Sequence, residues 1–526
     1  MSTEFHAFPR RTPFHSWPIS AYTPGLRLVR CLALCYCVFV LSLSSALGAT
    51  VIPGAPVRLT PPSTQLHLRG VDNDLVDDIS RRSFRYFWEQ TNLGTGLVLD
   101  RAGVNGAPGD NPQHRGVASI AATGFGLTAF CIGAEHRWIS PELARQRVLT
   151  TLKFFADRAP QEHGWFYHYL DVSTGERRWE SEVSSIDTAL LLAGVLSTRQ
   201  FFHDDPEIVQ LATQIYNRVD FPWMLHGSTT LLSHGWKPES GFLPYRWDTY
   251  SEHMILYVLA IGSPTHPIAP AAWYTWKLPV VDVGGYSYIG GGPLFIQQYS
   301  LAWVDLRDRV AMQGPSVDYF SPRVNYFANS VAATRAQQAF SVHLAHQFPG
   351  YSSDIWGITA SDSSKGYVAW GGSAQDSRID GTVVPSAAGG SLMFAPDICI
   401  PALRAMLVRY GKKIYGRYGF VDAFNPTTGW VSQHVIGIDV GITLLSAENL
   451  RTGKVWDWFM ANPEADRALD LVGLVSSAEQ ASSARPVISV QSPAATKLDS
   501  EAEIPIARNV EIPRSSFEFK ILVLPP

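Results

Sequence analysis

Apolar positions recur with a helical period along most of the chain between residues 75 and 462. Apolar side chains at spacings of three, four and seven are typical of amphipathic helices. They predict helices over residues 74–91, 117–135, 141–159, 181–202, 206–220, 248–264, 327–347, 396–411 and 439–453. About ten to twelve helices with no β-rich domain between them favour an all-α toroid, in which inner helices are apolar throughout and outer ones amphipathic.

Long loops rich in glycine and aromatic residues separate these helices, as in residues 225–248 and 350–395. Loops fixed by a rigid frame often carry function, because they do not have to pack in the core. We therefore expect the functional groups in these loops and at the helix ends next to them.

The predicted helix 248–264 contains a carboxylate where an apolar residue is expected. Glu252 shares one helical face with Ile255, Leu256 and Leu259. A buried carboxylate is costly unless it is paired, hydrogen-bonded or used to hold a proton. Periodicity alone does not choose among these three.

Composition narrows the possible functions. Charged residues make up 17% of the chain, the net charge is -4, and no cluster of Lys and Arg is present. These values argue against nucleic acid as a partner, since such affinity comes from phosphate neutralisation. The 16 Trp and 20 Tyr fit either sugar stacking or a large aromatic core.

The N-terminal segment has the features of an export signal. Residues 31–48 are apolar, follow Arg27 and Arg30, and end in small residues around Gly48. We expect cleavage near Gly48 and a periplasmic or secreted protein. A retained membrane anchor is the alternative, because the apolar run is nearly long enough to span a bilayer.

Four regions follow from these patterns. They are a signal peptide (1–48), a Pro/Thr-rich linker (49–74), the helical domain (75–470) and a low-complexity tail with a terminal strand-like segment (471–526). Outside the signal, the remaining cysteines, Cys131 and Cys399, lie in apolar surroundings and are expected to be inert core thiols.

Small polar residues form a stripe in the stretch "WESEVSSIDTALLLAG", residues 179–194. Such a stripe either receives a neighbouring helix or lines a wet cavity. Glu182 and Asp187 flank it. Each is either a structural residue at a helix start or a carboxylate of a binding site.

Three later aspartates are further candidates. Asp439 precedes an apolar helix, so it is either an N-cap or a catalytic carboxylate. Asp422, near Asn425 and Pro426, is either a turn former or a site residue. Asp362 lies in a Gly-rich loop.

Motifs of other chemistries are absent from the sequence. It contains no G-x-S-x-G, H-E-x-x-H, C-x-x-C, P-loop or dinucleotide-binding fingerprint, and its histidines lack metal-ligand spacing. We therefore expect no metal and no cofactor. Carboxylates and aromatic residues suit glycoside hydrolysis, in which Glu252 would be the carboxylic acid with a raised pKa.

Several long motifs resemble the bacterial glucoamylase-like family, which includes endo-β-1,2-glucanases and a domain of cyclic β-1,2-glucan synthases. They include "SIAATGFGLTAFCIGAE", "RWDTYSEHMILYVLAIGSPTHPI" and "YGFVDAFNPTTGWVSQHVIGIDVGITLLSAENLRTGKVW". The resemblance covers roughly residues 75–470. It implies an (α/α)6 toroid and anomer-inverting cleavage of a glucan.

The same resemblance implies roles for the carboxylates. Glu252 matches the general acid, and Asp439 best matches the base, with Asp422 and Asp362 as alternatives that would otherwise bind substrate. Glu182 and Asp187 match substrate or support positions in the subsites. The resemblance leaves open the exact linkage and endo or exo action.

Five aromatic residues in the loops are expected to stack on or touch sugar rings, with core packing as the alternative. They are Trp236, Trp247, Trp356, Tyr367 and Trp370. The expected partner is a glucan; membrane contact is expected only through an uncleaved N-terminal segment, and the oligomeric state stays open. The alternative functions are a polysaccharide lyase using a pair such as Tyr167 and His168, and a non-catalytic glucan-binding module.

Overall fold

Helices dominate the described part of the chain. The computed structural model describes residues 68, 70–108, 111–311, 324–371, 376 and 378–476, so the predicted signal peptide and most of the linker and tail lie outside the described residues. The helices are α1 (Val71–Glu89), α2 (Ile120–Glu135), α3 (Pro141–Asp157), α4 (Ser185–Phe201), α5 (Pro206–Asn217), α6 (Met254–Gly262), α7 (Tyr299–Trp303), α8 (Tyr326–Leu344), α9 (Pro385–Gly389), α10 (Pro396–Tyr410), α11 (Gly437–Arg451), α12 (Lys454–Met460) and α13 (Pro463–Leu471).

Short strands connect the helices. They are β1 (Arg101–Gly103), β2 (Val117–Ser119), β3 (Gln161–Glu162), β4 (Trp165–Phe166), β5 (Tyr169–Asp171), β6 (Val183–Ser184), β7 (Gly235–Lys237), β8 (Gly241–Phe242), β9 (Val280–Val283), β10 (Tyr286–Ile289), β11 (Arg309–Ala311), β12 (Ser361–Ser363), β13 (Gly366–Val368), β14 (Tyr415–Gly416), β15 (Gly419–Phe420), β16 (His434–Ile436) and β17 (Leu474–Ser476). The antiparallel pairs are β1–β16, β2–β5, β3–β4, β9–β10, β11–β17, β12–β13 and β14–β15, and β6–β7–β8 form a three-stranded sheet.

Five helices pack against one another in a cycle. Helix α2 packs on α4, α4 on α6, α6 on α7, α7 on α11, and α11 returns to α2. The α2–α4 contact depends on glycine: a Cβ at Gly124 would lie 2.2 Å from the carbonyl oxygen of Leu190. Helix α2 is buried from Ile120 to Ala134, whereas α1 and α5 bury one face. The described chain thus contains a helix that is apolar throughout and helices that bury one face, as the sequence pattern predicts.

Three of the long helices begin directly after a short strand. Strand β2 leads into α2, β6 into α4, and β16 into α11. Ser119 and Ser184 cap α2 and α4 with their hydroxyls. At α11 the first N–H, from Gly437, donates to the carbonyl oxygen of Asp100 at 2.7 Å. These hydrogen bonds at the strand-to-helix junctions fix the positions of the residues in the first turns of α2, α4 and α11.

The predicted helix 248–264 is shorter than the sequence indicates. Helix α6 begins only at Met254, because the chain before it pairs with another segment: the N–H of Tyr250 donates to the carbonyl oxygen of Lys277, and the N–H of Lys277 to that of Asp248, both at 2.8 Å. Glu252 therefore precedes the helix. The helix predicted over 181–202 likewise begins at Ser185, so the first residues of the small polar stripe lie outside it.

The first helix and the last strand lie at the two ends of the helical body. Helix α1 begins at Val71, three residues before the predicted start at residue 74, and β17 (Leu474–Ser476) pairs with β11. Cys131 and Cys399 are free and buried, as expected of core thiols. Among the residues that the structure describes, none of the helices has the length and apolar character needed to cross a membrane.

Candidate active site

Two carboxyl groups at the start of α11 form a close pair. Asp439 lies in the first turn of α11, where its Oδ1 accepts a hydrogen bond from Ser386 Oγ at 3.2 Å. Asp422 is 3% exposed, and its Oδ2 accepts the N–H of Asp362 at 2.6 Å. The N-cap interpretation of Asp439 and the turn-former interpretation of Asp422 are both wrong, since Ile436 is the capping residue and Asn425 forms the turn.

The electrostatics of the pair favour one shared proton. Burial and the charges of Asp362 and Asp439 hold the pKa of Asp422 well above its ordinary value. Burial also raises the pKa of Asp439, to about 6, although hydrogen bonds from Asp422 and Ser386 oppose the shift. The Oδ1 of Asp422 accepts no donor among the described groups, which is the expected position for a proton donated to Asp439. The proton is therefore favoured on Asp422, which makes Asp439 the candidate for the ionised partner.

A buried arginine lies beside the aspartate pair. Arg101 Nε contacts Asp100 Oδ2 at 3.0 Å, and Nη1 contacts Asp362 Oδ1 at 3.1 Å. The other oxygen of Asp362 accepts from Ser432 Oγ and faces His434 Nδ1 at 3.3 Å. Burial would raise the pKa of Asp362, but the hydrogen bond from His434 and the charge of Arg101 lower it to about 2. Asp362 is thus a fixed anion and a poor proton carrier.

Glu252 lies on another side of the site, immediately before α6. Ser251 Oγ donates to its carboxylate, and Ser300 Oγ of α7 donates to its backbone carbonyl. Ser300 Oγ also accepts the N–H of Ile255 at 2.9 Å, so a neighbouring helix caps α6 and fixes Glu252. Burial raises the pKa of the Glu252 carboxyl, the Ser251 hydroxyl opposes this, and the charge of Asp187 adds to it.

His168 lies between two carboxylates predicted to belong to the subsites, those of Glu182 and Asp187. Its Nδ1 lies 3.0 Å from Glu182 Oε1, and its Nε2 lies 3.4 Å from Asp187 Oδ1. Ser184 Oγ donates to the other oxygen of Asp187 at 2.6 Å. Burial would raise the pKa of Glu182, but the hydrogen bond from His168 lowers it to about 2.

Among the described residues, the side chains of His168, Glu182 and Asp187 form the cluster that could hold a metal ion. Their ligand atoms lie within 4.8 Å of one another. A metal needs a ring nitrogen without hydrogen, whereas both nitrogens of His168 face carboxylate oxygens. The arrangement fits a hydrogen-bonded triad better than a metal site.

Two tyrosine hydroxyls, those of Tyr299 and Tyr367, lie within the electrostatic influence of these carboxyl groups. Burial and the charges of Asp439 and Glu252 hold the pKa of Tyr299 well above its ordinary value. Tyr367 on β13 is half-buried and feels the charges of Asp439 and Asp422. Both hydroxyls therefore stay protonated and can donate hydrogen bonds inside the site.

Three of the five predicted stacking residues are buried, which matches the core-packing alternative. Trp356 is fully buried in the core, and Trp370 is 3% exposed with its Nε1 donating to Ser361 Oγ at 3.0 Å. Neither ring offers a free face. Trp247 is also buried: its Nε1 donates to Ser185 Oγ at 2.9 Å, and His234 stacks on the ring at 3.9 Å.

Trp236 and Tyr367 remain half-buried and stay predictions. A further aromatic residue, Trp179, was missed by the sequence reasoning. It has a φ of 58°, unusual for a residue other than glycine, and contacts Tyr169 at 4.9 Å between ring centroids.

Polar residues outside the predicted set complete the site. They are Asp100, Arg101, Tyr169, Tyr299, Ser386 and His434. The Asp100–Arg101 pair had a usable signal, because it directly follows the apolar run of residues 97–99. Tyr299 and Ser386 had no comparable signal.

Comparisons with known proteins agree with this architecture. A family model described as "Putative glucoamylase" matches residues 244–463, which contain Glu252, Asp422 and Asp439. An exo β-1,2-glucooligosaccharide sophorohydrolase (non-reducing end) from Parabacteroides distasonis is 28% identical over 443 residues, or 76% of this chain. The chain spans 58% of that relative's length.

Solved structures of β-1,2-glucanases are also similar to this chain. An endo-β-1,2-glucanase from Chitinophaga pinensis, in complex with sophorotriose and glucose, is similar with a TM-score of 0.70 and 26% identity, covering 78% of this chain and 99% of that one. A β-1,2-glucanase from Parabacteroides distasonis has a TM-score of 0.68 and 26% identity, covering 77% of this chain and 60% of that one. Over residues 244–463 the chain is thus similar to the family described as "Putative glucoamylase", and over about three quarters of its length it is similar to these β-1,2-glucan hydrolases.

Proposed function

We propose that the protein is a glycoside hydrolase that cleaves β-1,2-glucan with inversion at the anomeric carbon. Glu252 is the general acid that protonates the leaving oxygen. Asp439 is the base that activates water, directly or through a relay. The similar proteins named above act on β-1,2-linked glucans according to their descriptions, which supports this substrate.

The observation that carries the proposal is the placement of two carboxyl groups with raised pKa values around one tyrosine. Glu252 precedes α6, Asp439 begins α11, and the charges of both act on Tyr299. A glycosidase needs one carboxyl that holds a proton and one that is ionised at the same pH. Asp422 holds the proton of the aspartate pair, so Asp439 meets the second requirement.

A lyase is less consistent with this site. Its uronate substrates carry a carboxylate, and the site already contains Glu182, Asp187, Glu252 and Asp439 near one another. These charges would repel an anionic polymer but tolerate a neutral glucan.

For the architecture, we propose the (α/α)6 toroid that the motifs imply. The cycle of contacts from α2 through α4, α6, α7 and α11 back to α2 supports it, as does α9, which packs on α11 and extends the ring. The substrate would then lie at the end of the ring where α2, α4 and α11 begin.

For the location, we propose that residues 1–48 direct export, so that the enzyme acts in the periplasm or outside the cell. The support is the sequence of this segment alone, with Arg27 and Arg30 before the apolar run. Fractionation of cells expressing the full chain tests it: recovery of the protein in the cytosol would contradict export.

The activity is tested with linear β-1,2-glucan and other β-glucans. We expect the wild type to release oligosaccharides from β-1,2-glucan, with the α-anomer formed first as seen by NMR. Short oligomers in a range of sizes would indicate endo action, and sophorose alone exo action. Glu252→Gln should lose activity because an amide cannot donate the proton.

The matched control is Glu207→Gln. Glu207 is half-buried on α5 and pairs with Arg145 and Lys153, away from the carboxyl groups of the site, so its removal should leave the rate unchanged. Full activity of a folded Glu252→Gln variant would refute the assignment of the acid. Products that absorb in the near ultraviolet would instead indicate a lyase.

A further inference from the structure

His168 is held in place by groups other than the two carboxylates it touches. Its backbone N–H donates to the carbonyl oxygen of Glu182 at 2.9 Å, and its carbonyl accepts the N–H of Ile120 at 3.2 Å. The ring stacks on Tyr169 with 3.8 Å between centroids. Position alone therefore does not require a charge on His168.

The contacts of the ring favour one. Nδ1 is hydrogen-bonded to Glu182 Oε1, and Nε2 lies 3.4 Å from Asp187 Oδ1, so a ring with a hydrogen on each nitrogen presents an N–H to each carboxylate. The carboxylate of Asp187 already accepts the hydroxyl of Ser184, as an ionised group would. A ring with two hydrogens is an imidazolium cation.

The inference rests on the proposed glycoside hydrolase activity, in which the cation would act beside the general acid. We propose that His168 is a positioning residue: as a cation it holds Glu182 and Asp187 together and offsets their charge beside Glu252. Glu182 and Asp187 then present fixed acceptor oxygens to glucosyl hydroxyls, and the acid is not exposed to two uncompensated anions.

The electrostatic surroundings agree with this role. Burial would lower the pKa of His168, but the charge of Asp187 and the hydrogen bond to Glu182, together with the more distant charge of Asp100, raise it to about 9. The groups facing Glu252 are Ser251, Asp187 and Tyr299. Asp187 is the link between the cation and the acid.

The kinetic test uses His168→Gln, which keeps an N–H donor but removes the charge. The high-pH limb of kcat/KM reports loss of the proton from Glu252. Without the cation the charge of Asp187 is uncompensated and raises the pKa of Glu252, so the limb should move to higher pH by about 0.5 to 1 unit. We also expect kcat/KM at neutral pH to fall about 10-fold or more because Glu182 and Asp187 repel each other.

Two further variants separate charge from shape. His203→Gln removes a histidine from an exposed pair with Asp204 and should change neither rate nor limb. In the double variant His168→Gln/Asp187→Asn the negative charge is removed with the positive one, so the limb should return towards that of the wild type. A loss of rate in His168→Gln with an unmoved limb would mean a structural role only and would overturn the proposal.

A spectroscopic test needs no substrate. In long-range ¹H–¹⁵N spectra of the wild type, the ring of His168, assigned by its loss in His168→Gln, should show both nitrogens protonated at pH 8 and titrate near the value of about 9. A neutral ring at pH 8 would overturn the proposal. Wild type that fails to cleave β-1,2-glucan would refute the proposed function instead, and would leave this titration unaffected.

The same spectra exclude or reveal a metal site. Addition of ZnCl₂ or CaCl₂, or of EDTA, should leave the His168 signals unchanged. Loss of a ring N–H on addition of Zn²⁺ would mean that Glu182, Asp187 and His168 bind the metal, and would overturn the cation proposal.

Discussion

The two catalytic candidates reach raised pKa values by different routes. Burial raises the pKa of Glu252, and the charge of Asp187 raises it further. The hydroxyl of Ser251 donates a hydrogen bond to the carboxylate and opposes this shift. Asp439 lies among other carboxyl groups, and the hydrogen bond from protonated Asp422 limits the rise of its pKa. An acid needs its proton and a base must lose it, so the neighbours of each group matter more than the shared direction of the shift.

The largest expected effect is the loss of activity on removal of Glu252 or Asp439. A substrate whose leaving group needs no proton then distinguishes the acid from the base. Glu252→Gln and Asp439→Asn should each lower the rate on β-1,2-glucan by about 10²- to 10⁴-fold. With a sophorosyl fluoride, whose leaving group needs no proton, Glu252→Gln should recover much of its rate and Asp439→Asn should not. Initial rates measure both. Equal recovery of the two variants would show that the roles are not divided in this way.

A second contrast lies in stability. The folded-state pKa of Asp439, about 6, exceeds the ordinary 3.8, so the unfolding free energy falls as pH rises between these values and stays low above about 6. Asp439→Asn should therefore stabilise the protein by about 1 to 3 kcal/mol at pH 7.5, measured by urea unfolding. The gain should vanish at pH 4. A variant less stable than wild type at both pH values would contradict the assigned shift.

The shared proton predicts a smaller effect. Asp422→Asn keeps a neutral donor beside Asp439 and should retain most activity. Asp422→Leu removes the donor, raises the pKa of Asp439 and should shift the low-pH limb upward, with about a 10-fold loss of rate at neutral pH. pH–rate profiles of the two variants distinguish these outcomes. A larger loss in Asp422→Asn than in Asp422→Leu would mean that Asp422 acts as an anion.

The smallest effect is expected at Ser251. Ser251→Ala removes the hydroxyl that favours the ionised form of Glu252, so the high-pH limb should move upward by about half a unit. Ser300→Ala is the comparison, because Ser300 bonds only the backbone carbonyl of Glu252 and the N–H of Ile255. A limb that moves in Ser300→Ala but not in Ser251→Ala would refute this account.

The sequence predicted the long helices well because their periodicity is local. Helices α1, α3 and α5 have ends within a few residues of those expected. The short helices α7 and α9, of five residues each, lay outside every predicted segment, since a single turn shows no period. The start of α6 was wrong because Tyr250 pairs with Lys277, a contact that periodicity does not record.

The sequence by itself determined the helical class, the resemblance to glucoamylase-like proteins and the acidic residues that candidate chemistry could use, with Glu252 and Asp439 among them. Only the tertiary structure decided which carboxyl groups share a proton, that Arg101 holds Asp362, that His168 bridges Glu182 and Asp187, and that Trp356 lies in the core. Periodicity depends on neighbours along the chain. Protonation depends on burial and on charges a few ångströms away in space, and those neighbours come from distant parts of the chain.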